Sequence, residues 1–180
     1  GDQEVLLLMS DSTNAEIKGY TKSETLLFDK LVRMFSSAKG RVIIATFASN
    51  IHRIQQVLDV AYRYNRKVAL SGLSMQKNVE IAHSLGYLKF KDDLIIDIEE
   101  TKKLPENKVV IIGTGSQGEP MSAISRMAKG MHKNIYVKKG DTVIITASII
   151  PGNERTVTNI INTLMKLGAN VFHEKEEDIH

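Results

Sequence analysis

Residues 40–64 read GRVIIATFASNIHRIQQVLDVAYRY, and this stretch decides the fold. Its first part, Val42–Phe47, is an almost unbroken run of apolar and β-branched residues, which is typical of a strand. Its second part, His52–Tyr64, repeats its apolar residues with the period of a helix that is buried on one side. A strand that is apolar at successive positions needs cover on both faces. The stretch therefore predicts a strand and a helix in a sheet that lies between two helix layers.

The same unit recurs on both sides of this stretch. The other pairs of strand and helix are Val5–Met9 with Glu24–Phe35, Val68–Leu70 with Val79–Leu85, Val109–Ile112 with Met121–Met127, and Val143–Ala147 with Val157–Leu167, before a last strand at Val171–Phe172. Such alternation indicates a Rossmann-like, three-layer α/β fold with a mostly parallel sheet and helices on both faces. Between Val79–Leu85 and Val109–Ile112, the segment Leu94–Ile98 predicts an edge strand and Glu99–Lys103 predicts an exposed helical turn.

Glycines and caps mark the ends of the predicted helices. Gly40, Gly86 and Gly168 each follow a helical run, where a left-handed residue commonly ends the helix. Thr21 and Glu24 have the spacing of a capping box. No linker, low-complexity tract or longer repeat interrupts the pattern, so we predict one domain over residues 1–180.

Composition limits the classes of function. With 180 residues, 42% hydrophobic and 25% charged, the chain is suited to one globular core. It has no cysteine, which excludes disulfides, zinc–thiolate sites and thiol nucleophiles. The absence of a long apolar run and of a basic-then-apolar start predicts a cytoplasmic location without a membrane partner. A net charge of +3 and a pI near 9.0 are compatible with a polyanionic ligand.

Loops that leave the carboxyl ends of parallel strands gather at one edge of the sheet. Four loops here lead from a strand into a helix, and all are predicted to line that edge: Ser10–Glu16, Phe47–His52, Gly113–Pro120 and Ser148–Glu154. In the second loop, Ser49 and Asn50 add a hydroxyl and a carboxamide to the free amides of a helix start, which favours a phosphate site. The alternative is that one of them only caps the helix.

The third loop, Gly113–Gly118, matches the G-x-G-x-x-G pattern of dinucleotide sites. Pro120 would start the next helix later than that motif expects, and no Lys-Ser/Thr pair follows as in a P-loop. Asp141 stands at a suitable distance for a ribose-binding acid, yet it begins a strand where that acid usually ends one. A stand-alone nucleotide-binding module of Rossmann type is therefore an alternative function.

The remaining candidates are one acid and the histidines. Asp11 follows the first predicted strand, where a carboxylate either caps its own loop or orients a histidine. The histidines lie far apart in sequence and are interpreted as surface or capping residues: His52, His83, His132, His173 and His180. Their spacing predicts no metal site within this chain.

Four motifs, in this order, strongly resemble the ribonuclease J family of the metallo-β-lactamase superfamily over nearly the whole chain. They are SDSTNAE at 10–16, FASNIHR at 47–53, GTGSQGEP at 113–120 and IPGNE at 150–154. In that family a β-CASP domain is inserted into a metallo-β-lactamase domain, and RNA runs in the cleft between the two. The resemblance implies that this chain is the β-CASP domain alone.

The resemblance also implies roles for individual residues. Asp11 matches an acid that orients a histidine of the catalytic site, and Ser49, Asn50 and Ile51 match a loop that binds the phosphate of the terminal nucleotide. His180 matches the first histidine of an H-x-S-G-H segment that completes this pocket. The two divalent metal ions of the family, expected to be zinc, would be held by the other domain, with none in this chain.

The implied function is that of the RNA-binding portion of a metal-dependent 5′-to-3′ exo- and endoribonuclease in mRNA decay and rRNA processing. Its partners would be single-stranded RNA with a 5′-monophosphate and its own metallo-β-lactamase domain, in a homo- or hetero-oligomeric parent enzyme. The 180 residues alone are expected to be catalytically inactive. A further alternative is a non-catalytic paralogue that acts as a scaffold.

Overall fold

The computed structural model of the chain describes residues 6–10, 12, 16, 18–19, 25–147 and 149–173. Within them the strands are β1 Val42–Ala45, β2 Lys67–Ser71, β3 Ile95–Ile96, β4 Val109–Gly113, β5 Thr142–Ile145 and β6 Asn170–Phe172. The helices are α1 Thr25–Ser37, α2 Ile51–Arg63, α3 Leu73–Ser84, α4 Ala123–Ala128 and α5 Glu154–Lys166, with 3-10 turns at Glu100–Lys103 and Glu106–Lys108. The strands form one parallel sheet in the order β3-β2-β4-β1-β5-β6. The predicted three-layer α/β fold is confirmed.

Successive residues of each central strand face opposite helix layers. Val42 and Ile44 of β1 pack in a core with α1, α2 and α3, whereas Ile43 and Ala45 pack in a second core with α4 and α5. All four side chains are fully buried, and burial of a large apolar side chain contributes about 1.5–3 kcal/mol. The two helix layers therefore explain why this strand is apolar at every position.

The strand predicted at Val5–Met9 is wrong over its described part. Leu6–Met9 have no regular structure, and their side chains are exposed, from 73% for Leu7 to 102% for Leu6. An apolar run becomes a strand only where a neighbour accepts its backbone hydrogen bonds and a surface covers its side chains. Among the described residues, both edges of the sheet belong to other strands, β3 and β6.

Other predicted boundaries are corrected by a few residues. The helix predicted at Val79–Leu85 is the second half of α3. The first turn of α3 begins with the exposed Leu73, so the apolar residues of that turn do not form a stripe on one face. The edge strand predicted at Leu94–Ile98 shortens to the two residues of β3. The helical turn predicted at Glu99–Lys103 is confirmed as a 3-10 turn.

The predicted glycine caps are correct at two of three positions. Gly86 and Gly168 follow α3 and α5 with φ of 78° and 85°, as left-handed caps do. Gly40 is not left-handed, and the prediction for it is wrong: a Cβ there would lie 2.5 Å from the carbonyl oxygen of Gly140. Glycine at position 40 therefore permits the close approach of two backbone segments. The predicted capping box of Thr21 and Glu24 lies outside the described residues.

Hydrogen bonds from two arginine side chains join segments at the amino edge of the sheet. Arg41 donates from Nε to Asp141 Oδ1 at 2.9 Å and from Nη2 to Oδ2 at 2.6 Å, and the Asp141 side chain is fully buried. Arg66 donates to the backbone oxygens of Gly40 and Ala38 at 2.8 and 2.6 Å. Burial lowers the pKa of Arg66. These contacts hold the amino edge together, opposite the predicted functional edge.

Candidate functional site

A crevice opens at the carboxyl edge of the sheet between β1 and β4. These two strands are neighbours, but the chain leaves β1 towards the α1–α3 layer and leaves β4 towards the α4–α5 layer. Loops that diverge in this way create the crevice in which open α/β sheets bind ligands. Its volume is about 350 Å³, and it is lined by Thr46, Phe47, Ala48, Ser74, Thr114, Gly115, Glu119 and Ser122.

The crevice lining combines hydroxyls with one carboxylate and one aromatic ring. Ser122 caps α4, accepting from the amide of Ser125 at 3.4 Å and donating to the backbone oxygen of Glu119 at 2.7 Å. Thr46 is 1% exposed, and within the described residues its Oγ1 has no hydrogen-bond partner. Phe47 is 38% exposed and Glu119 is exposed. The lining contains no lysine or arginine.

Ser49, Asn50 and Ile51 form a single turn directly after Ala48 of the crevice wall. Ser49 is exposed, and Ile51 begins the 13-residue α2 and packs on the core. Asn50 caps α2, because its Oδ1 accepts from the amide of Arg53 at 3.1 Å. Asn50 thus caps the helix, as the capping alternative expects for one of the two residues. Its Nδ2 donates no hydrogen bond to the described residues, so the same side chain keeps a donor for a ligand.

Arg53 is a functional candidate that the sequence reasoning did not single out. It lies in the first turn of α2 and is only 4% exposed. Its guanidinium donates to the backbone oxygen of Thr146, just after β5, and so ties the start of α2 to a neighbouring strand end. A positive charge beneath this turn adds to the positive end of the helix dipole. Its signal in the sequence is a charged residue beside Ile54, on the apolar side of an amphipathic helix.

The glycine loop after β4 is packed within the protein. Gly115 has φ of 115°, and a Cβ on it would collide with Ser122 Oγ. Gly118 has φ of 74°, and a Cβ there would lie 2.9 Å from Thr156 Cγ2. Gln117 is 4% exposed and accepts from the amide of Ile150 at 2.9 Å, which joins this loop to the one after β5. The glycines therefore serve close packing.

The dinucleotide alternative loses its support from this geometry. A G-x-G-x-x-G site needs a helix that begins at the loop, whereas α4 begins at Ala123 and has six residues. Asp141, the candidate ribose-binding acid, is buried against Arg41 at the opposite edge of the sheet. The glycine pattern is accounted for by packing on Ser122 and Thr156.

A second feature missed from sequence is a buried serine–histidine pair. Ser71, the last residue of β2, lies 2.8 Å from His132 Nε2. His132 Nδ1 accepts from the amides of Asn134 and Ile135 at 3.2 and 3.1 Å, so Nε2 carries the proton and donates to Ser71. Burial, with a smaller contribution from the charge of Arg126, lowers the pKa of His132. Interpreted from sequence as a surface or capping residue, His132 is buried, and its Nδ1 accepts from two backbone amides as a capping residue does.

The other predicted site residues are exposed, half-buried or outside the described residues. His52 and His83 are exposed, as predicted, whereas His173 is half-buried after β6. Asp11 and His180 lie outside the described residues, so their roles stay predictions. Of the four predicted edge loops, those after β1, β4 and β5 share the carboxyl edge, whereas Ser10 and Ser12 of the first loop follow no described strand.

The described residues contain neither a metal-binding cluster nor a membrane-spanning helix. Across the described ranges, His, Asp and Glu side chains form no group of three that could hold a metal ion. No described helix combines the length and apolar character needed to cross a membrane. The crevice offers hydrogen bonding and stacking. The adjoining start of α2 adds a positive potential.

Comparison with known proteins identifies the family. The model of the ribonuclease J β-CASP domain matches residues 39–164, which include the crevice and α2. Over the whole chain, identity is 50% to ribonuclease J of Thermus thermophilus, 46% to that of Helicobacter pylori strain J99 and 44% to that of Synechocystis. The chain spans 31%, 26% and 28% of these relatives, respectively. The chain therefore belongs to the β-CASP domain family of ribonuclease J.

Proposed function

We propose that this chain is the RNA-binding portion of a ribonuclease, and that the turn at Ser49–Ile51 holds the 5′-phosphate of a single-stranded RNA. The observation that carries the proposal is the position of this turn. It begins a 13-residue helix immediately beside the crevice wall at Ala48. A phosphate there would meet free amides, the Ser49 hydroxyl and Asn50 Nδ2.

The electrostatics of the turn support an anion. The amino end of α2 carries the positive end of the helix dipole, and no acidic residue lies in its first turn. Arg53 adds a buried positive charge to the same turn. Charge-assisted hydrogen bonds to phosphate are about twice as strong as neutral ones. A 5′-monophosphate would therefore bind better than a 5′-hydroxyl end.

The reaction that we propose for the parent protein is hydrolysis of RNA by two divalent metal ions, of which zinc is the expected metal. The ions would generate hydroxide and stabilise the leaving oxygen. Their ligands would come from a metallo-β-lactamase domain, while the present chain binds the RNA end. A role in rRNA processing and mRNA decay, a cytoplasmic location and an oligomeric parent belong to the same proposal.

Asp11 and His180 complete the proposal as positioning and phosphate-binding residues, respectively. A non-catalytic paralogue would differ in its metal ligands and would keep the same RNA-binding turn. The proposed contribution of the present chain, recognition of an RNA end, is common to both cases and can be tested with the chain itself.

Substitutions in the turn test this proposal. Ser49→Ala removes a donor, and Asn50→Asp keeps a good helix cap while placing a negative charge beside the phosphate. We expect Ser49→Ala to weaken binding of 5′-monophosphorylated RNA roughly five-fold and Asn50→Asp to abolish the preference over 5′-hydroxyl RNA. NMR titration suits the expected affinity, about millimolar to high micromolar.

The matched control is Ser84→Ala at the far end of α3, where the exposed hydroxyl donates to Ile81 O at 2.8 Å. It should bind like the wild type. All variants should keep the wild-type melting temperature within a few degrees. Equal binding of the two RNA ends by the wild-type chain, or unchanged selectivity in Asn50→Asp, would reject the phosphate site. Binding of NAD without preference for an RNA end would favour the nucleotide-binding alternative.

A further inference from the structure

Helix α3 carries exposed apolar side chains on its outer face. Leu73 is 67% exposed, Ile81 is 55% exposed, and Leu85, which caps the end of the helix, is 66% exposed. Together with Lys77 they are spaced by four residues, so they form one ridge along the helix surface. The aliphatic stem of Lys77 continues the apolar surface between Leu73 and Ile81. Continuous exposed apolar surface commonly marks an interface with another protein.

The charges on this face are arranged about the middle of the helix. Because α3 spans Leu73–Ser84, its centre lies between Asn78 and Val79. Lys77 and Glu80 lie at equal distances from that centre, one on each side. Both side chains are exposed, and neither forms an ion pair with a described residue. A two-fold axis through the centre would bring Lys77 of one copy beside Glu80 of a second copy, and the reverse.

The charges also determine the direction of such a pairing. If two copies of α3 packed in parallel, Lys77 would meet Lys77 and the like charges would repel. In the antiparallel arrangement the two lysines meet the two glutamates instead. The same arrangement brings Leu73 of one copy near the level of Leu85 of the other, with one Ile81 on each side of the axis. The face is therefore complementary to itself in charge and in apolar surface.

The size of the face indicates a weak dimer. The helix has 12 residues, so each copy offers about three turns. A single pair of such helices buries less than the roughly 1,200–2,000 Å² of a stable interface. We therefore expect a dimer that forms at high micromolar concentration and dissociates on dilution.

We propose that α3 is a dimerisation surface, on which a second copy of this chain packs antiparallel about a two-fold axis at the helix centre. Lys77 of each copy pairs with Glu80 of the other. The pairing buries the apolar side chains of Leu73, Ile81 and Leu85. The inference rests on the proposed function only for the oligomeric state of the parent, to which it gives a surface on this chain, and it requires no RNA.

Sedimentation equilibrium of the whole chain from about 10 µM to about 1 mM tests the dimer. The wild type is expected to pass from monomer to dimer within this range. Lys77→Glu and Glu80→Lys each replace two attractive contacts by two repulsive ones and should raise the dissociation constant roughly ten-fold. The double variant restores opposite charges across the axis and should return the dissociation constant to within about two-fold of the wild-type value.

The matched control is Lys133→Glu, which reverses an exposed charge after α4, on the other side of the sheet from α3. It should dimerise like the wild type, and every variant should keep the wild-type melting temperature within a few degrees. Ile81→Asp places a charge among the apolar side chains and should abolish the dimer.

A wild-type chain that stays monomeric up to about 1 mM would overturn the proposal and leave the α3 face to a different partner. A double variant that dimerises no better than the single variants, or a dimer that persists in Ile81→Asp, would also overturn it. The preference for a 5′-monophosphate over a 5′-hydroxyl RNA, measured in the same variants, should match the wild type. Failure of the dimer can thus be distinguished from failure of the phosphate site.

Discussion

The Ser71–His132 hydrogen bond connects the crevice to the protein interior. Ser71 is buried at the end of β2 and is followed within three residues by Ser74, which lines the crevice. His132 belongs to the segment after α4, on the other side of the sheet from α3. The pair therefore fixes the turn that brings Ser74 to the crevice. Sequence reasoning reached His132 only as an isolated histidine, because its partner is distant in the chain.

The lowered pKa of His132 predicts a pH dependence of stability. An unfolded histidine takes up a proton near pH 6.5, whereas folded His132 does so only at a lower pH. Its contribution to stability is therefore complete above about pH 6.5 and is lost as the pH falls towards the folded pKa. Urea unfolding at about pH 7.5 and about pH 5.5 should show a steeper decline for the wild type than for His132→Gln. Equal declines would contradict this prediction, and His52→Gln, at an exposed histidine, is the matched control.

The loop after β4 illustrates how one sequence pattern can serve two purposes. Its G-x-G-x-x-G match predicted a nucleotide site as an alternative, yet Gly115 and Gly118 pack against Ser122 and Thr156. The pattern correctly indicated backbone positions with positive φ, at Gly115 and Gly118. What it could not encode was the neighbour that each glycine approaches, since Ser122 and Thr156 are brought there by tertiary packing.

A matched pair of glycine substitutions tests this interpretation of the loop. Gly130 has φ of 68° and nothing near the position of a Cβ, so Gly130→Ala should cost only the backbone strain, about 1–2 kcal/mol. Gly115→Ala adds a collision with Ser122 to a φ of 115° and should cost about 2 kcal/mol more. Chemical denaturation measures both values. Equal destabilisation would mean that the packing around Gly115 is not a constraint.

Most of the architecture could be predicted from sequence, because buried parallel strands are apolar at successive positions. Val42–Ile44 of β1 and Val109–Ile112 of β4 carry this signal and were assigned correctly. Leu6–Met9 carry a similar signal but pair with no described strand, so local pattern alone was insufficient there. Pairing depends on distant residues that a local pattern does not specify.

The candidate site was predictable only in part for the same reason. Ser49 and Asn50 are adjacent in sequence at a helix start, so their position could be inferred. Ser74 and Ser122 meet the β1 loop only because β4 lies between β1 and β2 in the strand order. Such an order is fixed by packing of the complete sheet, and hydroxyl residues far apart in sequence gave no sign of it.

Chemical-shift mapping tests most directly whether one edge of the sheet binds an RNA end. A short 5′-monophosphorylated RNA added to the labelled chain should shift the backbone amides of residues 46–52 and 114–119, around the crevice and the α2 start. The chemical shifts of the amides of residues 64–66 and 138–141, at the opposite edge, should not change. Shifts that cluster at the opposite edge, or none at millimolar RNA, would contradict the proposed site.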